Sequence, residues 1–97
     1  MILELLLAAH LKLSLNFRDH KLEIMTTVDN HPEHRFLFVE GENDGRYYSS
    51  FIELRPDQRQ YPLTWRSITS GEWWIIASLG NADGAVVDKI YRGIFIP

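Results

Sequence analysis

The chain has 97 residues, 45% of them hydrophobic, with a formal net charge of −3 and no cysteine. The length suits one domain spanning 1–97, and the apolar share excludes an intrinsically disordered chain. The absence of Cys excludes a disulfide framework, a thiolate zinc site and a thiol nucleophile. Lys and Arg are scattered along the chain, and the balance of charge is acidic, so a nucleic-acid partner is not expected.

Met1 to Ala9 is apolar except for Glu4. It lacks the basic start and small-residue cleavage site of a signal peptide, and it is too short to cross a bilayer. Its Leu, Ala and Glu content suits a short N-terminal helix, with Ile2, Leu5, Leu6 and Ala9 on one face; a strand fits equally. Either way it reads as part of the fold or of an oligomer contact. Leu11, Leu13, Leu15 and Phe17 then alternate with Lys12, Ser14 and Asn16, the clearest half-buried strand in the chain. Arg18-Asp19-His20 reads as a turn, and Leu22, Ile24, Thr26 and Val28 form the returning strand of a hairpin.

Asp29-Asn30-His31-Pro32 breaks the pattern. Phe36 to Glu40 is a third strand, Asp44-Gly45 is a hairpin signal, and Arg46 to Leu54 is a fourth strand. A turn at Arg55-Pro56-Asp57 leads to Tyr61–Ile68, which Pro62 assigns to a sheet edge. Glu72–Leu79 is apolar on both alternating faces, which predicts a central strand covered on both sides. After the Gly80–Gly84 loop, Val86 to Ile96 supplies a last strand, or a pair interrupted near Gly93. The sum is a mainly β chain: a small antiparallel barrel or sandwich of about seven or eight strands.

Two groups of residues carry candidate chemistry. His31 and His34, with Asp29 and Glu40 nearby, have the donor types of a zinc or iron site. The plainer reading is a polar loop with two exposed imidazoles, since Pro32 opposes a helical His pair. Trp73 and Trp74 are adjacent and so face opposite sides of a strand. One fills the core, and the other, beside Tyr47, Tyr48 or Tyr91, offers a surface for a peptide, a sugar or a protein partner. The competing reading covers both Trp faces by the fold or by another subunit. No Ser-His-Asp arrangement, nucleophile elbow, phosphate loop or dinucleotide fingerprint is present, and no cofactor is implied.

Two partial resemblances add to this. Leu54-Arg55-Pro56-Asp57-Gln58, Tyr61-Pro62-Leu63-Thr64-Trp65-Arg66 and Ala77-Ser78, with Asp19-His20-Lys21-Leu22-Glu23, resemble the cupin-fold sugar-nucleotide ketoisomerases. The likeness covers about half the chain. It implies a cupin barrel in which His20 moves a proton beside a sugar ketone, near Trp65 and Arg66. Arg18 stands where that family has a partner His, and Asp29 and Arg35 fall at the general cupin metal positions. Gly71-Glu72-Trp73-Trp74 and Gly93-Ile94-Phe95-Ile96-Pro97 resemble the Trp-Trp strand and Gly-x-x-Ile-Pro segment of SH3 domains. That implies a small barrel; the aromatic N-terminal motif for proline-peptide binding is missing.

The expected function is a non-enzymatic interaction or assembly module, oligomeric, in the cytoplasm or as a small structural part of a virion or larger complex. Its partner is a protein or a second copy, with a small-molecule ligand as a further option. The alternatives are a cupin-like sugar-nucleotide binder or isomerase using His20, and a peptide or glycan binder using an exposed Trp.

Overall fold

The computed structural model describes residues 10–29 and 31–97. It contains seven strands: β1 (Leu11–Arg18), β2 (Lys21–Val28), β3 (His34–Asn43), β4 (Arg46–Glu53), β5 (Gln60–Arg66), β6 (Gly71–Asn81) and β7 (Val86–Ile96). They form two antiparallel sheets, ordered β1-β2-β5 and β4-β3-β6-β7. The fold is therefore an open two-sheet sandwich and not a closed barrel. The helix-or-strand question at Ile2–Ala9, and its reading as an oligomer contact, lie outside the described residues. Among the described residues no helix is long and apolar enough to cross a membrane.

The alternations seen in the sequence set the layers. Leu11 and Leu13 of β1, Leu22, Ile24, Thr26 and Val28 of β2, and Tyr61 and Trp65 of β5 point inward from the small sheet. Leu37 and Val39 of β3 and Trp73, Ile75, Ala77 and Leu79 of β6 meet them from the large one. Fully burying each large aliphatic side chain contributes roughly 1.5–3 kcal/mol, so these inward rows supply the main drive for folding. Gly41 faces the core from β3, where a Cβ would come 2.5 Å from the Trp65 ring. The glycine thus makes the space that the indole of the opposite sheet fills.

Three turns are hairpins within a sheet: β1–β2, β3–β4 and β6–β7. The first two have two-residue loops, Asp19-His20 and Asp44-Gly45, with positive φ at both positions (53° and 61°, 43° and 84°). That is the type I′ geometry, whose twist matches the strands it joins. The other connections, β2 to β3, β4 to β5 and β5 to β6, each carry the chain to the opposite sheet. Asp88 of β7 ties the sheets at one side: its carboxylate accepts the His10 amide at 3.3 Å and the Lys89 amide at 2.9 Å.

Two strand expectations are corrected. β7 runs unbroken through Gly93; the glycine is accommodated because the Trp74 ring lies over it, within 3.2 Å of where a Cβ would sit. β6 is central, but only its inward face is fully covered, since Trp74 on the other face is 54% exposed. Its outward apolar residues, Trp74 and Ile76, lie on the outer face of the sheet and not in a second core. Seven antiparallel strands split three and four make a sandwich scaffold that assigns no function by itself.

Candidate functional site: the open face of the four-stranded sheet

Strand register places one set of side chains together on the outer face of the large sheet. Running from β4 across β3 and β6 to β7, one row reads Tyr47, Glu42, Trp74, Gly93, and the next Ser49, Glu40, Ile76, Tyr91. A third row is Phe51, Phe38, Ser78, Lys89, and Phe95 stands opposite Glu72 at the end of the sheet. Side chains alternate along each strand, so these residues share the side away from the core. Among the described residues, every large hydrophobic side chain that is exposed lies on this sheet: Tyr47, Phe51, Trp74, Val86, Val87, Tyr91 and Phe95.

The aromatics are organised. Phe36 and Phe51 stack with ring centroids 5.2 Å apart, and Phe38 tilts against Phe51 at 6.4 Å. Phe36 also covers Gly80 of β6, as Trp74 covers Gly93 of β7. In both places a glycine leaves room for a ring to approach the neighbouring strand where a Cβ would collide with it or crowd it. The Tyr47 hydroxyl donates to Glu40 Oε2 at 2.6 Å. That hydrogen bond, followed by partial desolvation, holds the phenol above its ordinary titration range.

Four carboxylates point out among these rings, Glu40, Glu42, Glu53 and Glu72, against one ammonium, Lys89. The outward face of the small sheet has the opposite character. Its positions include Lys12, Arg18, Lys21 and Arg66 with one carboxylate, Glu23, and its only apolar members are Met25 and Pro62. The cations that look scattered in the sequence thus gather, chiefly in the row Arg18–Lys21–Arg66. Glu23 accepts from Asn16 at 3.1 Å and from Arg18 at 3.3 Å, and these bonds, Arg18 foremost, lower its pKa.

The aromatic candidates divide. Trp74, Tyr47 and Tyr91 are all more than half exposed and share the outer face. Trp73 and Trp65 do not join them. Trp73 is fully buried and donates its indole N–H to the Thr69 carbonyl at 2.8 Å. Trp65 is buried over Gly41 and donates to Ser50 Oγ at 3.1 Å. Tyr48 packs between them, with ring centroids 5.4 Å from Trp65 and 5.5 Å from Trp73. Arg66 follows Trp65 on the strand and so emerges on the opposite face, beside Lys21. His20 is exposed at the tip of the β1–β2 hairpin.

The histidines are brought closer than the sequence indicates. His34 lies 5.0 Å from His31 and 5.4 Å from His10, ring centre to ring centre. Their hydrogen bonds set different tautomers. His10 Nδ1 meets Asp29 Oδ2 at 3.1 Å and His34 Nδ1 meets the Asp29 carbonyl at 3.2 Å, so both nitrogens must donate. His31 Nδ1 instead accepts the Glu33 amide at 3.1 Å, which leaves the proton of the neutral ring on Nε2. The three rings therefore do not offer a matched set of lone pairs. Among the described residues no three metal-binding side chains are placed to hold an ion, and Glu40, expected near His31 and His34, lies on the outer sheet face.

Phe51, Phe95 and the Phe36–Phe38 pair escape a sequence reading centred on Trp and Tyr. The signal available was the alternation of Phe36 and Phe38 with Leu37 and Val39, which puts two aromatics on the face away from the core. No protein-family model matches the chain, and no curated protein matches it.

Proposed function

We propose that this chain is a non-enzymatic interaction and assembly module that docks through the open face of its four-stranded sheet. One observation carries the reading: among the described residues, the exposed large hydrophobic side chains are all gathered on that sheet. Five half-exposed aromatic rings present on the order of 500 Å² of apolar area. Apolar surface of that extent suits a docking face, because leaving it in water forgoes about 25 cal/mol for each Å² that a partner would cover. Trp74 on the interior strand β6, with Tyr91 and Phe95 on the edge strand β7, are the expected anchors, as aromatic side chains dominate binding energy.

The test is sedimentation across a hundredfold concentration range, comparing the wild-type chain with Trp74→Ser/Phe95→Ser. Association at least tenfold weaker in the variant supports the reading. A wild type that stays monomeric, and an immobilised wild type that retains nothing the variant does not also retain, would overturn it.

A second reading has an observation of its own. The Trp74 ring packs over Gly93, with Cζ3 3.2 Å from where a Cβ would sit, and remains 54% exposed, a platform on which a sugar ring or a peptide side chain could stack. Quenching or a blue shift of Trp emission by one member of a glycan and peptide panel, lost in Trp74→Phe, would favour it.

A further inference from the structure

The two outward faces of the sandwich are complementary to each other. We propose that the occupant of the aromatic face is a second copy of this chain, seated by the outward face of its three-stranded sheet, so that copies stack head to tail. This inference rests on the reading of the aromatic face as a docking surface and names what docks there.

Charge is the first argument. The aromatic face carries Glu40, Glu42, Glu53 and Glu72 against Lys89, and the small sheet's outer face carries Lys12, Arg18, Lys21 and Arg66 against Glu23. Stacking unlike faces sets these clusters against each other. Pairing two aromatic faces about a two-fold axis would instead gather eight carboxylates in one interface, and like charges set face to face cost affinity.

Side-chain chemistry is the second. Long Arg and Lys stems lie along apolar surface while their heads reach carboxylates. Guanidinium and ammonium groups are attracted to the faces of Trp, Tyr and Phe. The acidic, aromatic face suits such side chains, and the Arg18–Lys21–Arg66 row supplies three of them side by side. Met25 and Pro62 add an apolar strip on the same face, beyond the intervening row Asn16–Glu23–Thr64. The two longer dimensions of the molecule, 38 and 31 Å, leave room for the roughly 800 Å² per partner of a standard interface. Because the two contacting faces differ, the contact is heterologous and does not close on a dimer; it propagates as a stack.

A charge swap tests the pairing. One protein carries Lys21→Glu/Arg66→Glu, so that both its faces are acidic; the other carries Glu42→Lys/Glu72→Lys, so that both are basic. Thermal melts check that each still folds. The wild type is expected to associate with a midpoint that weakens at least tenfold between 50 and 500 mM salt. Each variant alone is expected to be monomeric, and an equimolar mixture is expected to recover association. Four results overturn the stack. A basic-face variant that associates as the wild type does, while Trp74→Ser/Phe95→Ser does not, leaves the docking face but makes it a two-fold contact. Folded variants that fail to complement on mixing remove the charge pairing. A wild type monomeric at every concentration removes the second copy as occupant, and an oligonucleotide bound only when Lys21 and Arg66 are intact would reassign the basic row.

Discussion

Thr26 is the one inward residue of β2 that carries a hydroxyl. It is fully buried, and its Oγ1 has no hydrogen-bond partner among the described residues. A buried hydroxyl without a partner forfeits its hydration, so the near-isosteric Thr26→Val is expected to stabilise the fold by about 1 kcal/mol. In a chain of this size that raises the melting temperature by roughly 4–8 °C; an unchanged or lower value would mean the hydroxyl is satisfied. His20 is a second such position. It adopts φ 61° in the second place of a type I′ turn, where glycine is preferred. His20→Gly is expected to raise stability by about 1 kcal/mol, read in the same melts. A gain in stability together with a loss of sugar-nucleotide binding would support the cupin-like role of His20. At this scale the sequence was legible in parity but not in direction. Alternation says that Trp73 and Trp74 face opposite ways; only the opposing sheet, with Leu22, Ile24 and Trp65 already in place, decides that Trp73 is the buried one.

Among the elements, the β1–β2 hairpin shows what strand pairing adds. Arg18 and Glu23 lie five residues apart in the chain and are joined only when the turn at Asp19-His20 sets the register. With the Glu23 pKa lowered in the folded state, its contribution to stability is present above the ordinary carboxylate range. It is lost as pH falls through the lowered folded value. The pair is exposed, so the effect is small. In an NMR titration the Glu23 carboxyl is expected to titrate below the ordinary glutamate value and to move back up in Arg18→Gln. A Glu23 carboxyl that titrates at the ordinary value would contradict the bond. The strands themselves were largely readable because each buries one face, and a one-residue slip would expose every inward side chain. Pro62 likewise marked an edge strand, which β5 is. The sheets' partnership was not readable. Nothing in β2 or β3 alone says that the chain crosses layers between them, and so nothing placed Arg66 beside Lys21 or His10 beside His34.

For the whole molecule, the sandwich has one polar, basic face and one aromatic, acidic face, and the small net charge of −3 conceals both. This is why a composition that argues against a charged partner coexists with two charged surfaces: the cations and carboxylates are sorted by strand and by parity, quantities that a total does not register. The sorting also separates stability from association. Phe95 is 70% exposed, so replacing it removes little buried area, and surface changes of that kind shift folding stability by no more than about 0.5 kcal/mol. If the aromatic face is a docking surface, however, partner binding stabilises the folded chain by mass action, and the melting temperature of the wild type rises with protein concentration. Phe95→Ser is then expected to melt with the wild type at low concentration and to fall progressively below it as concentration increases. Parallel melting of the two proteins at every concentration would make the aromatic face an exposed surface with no role in assembly.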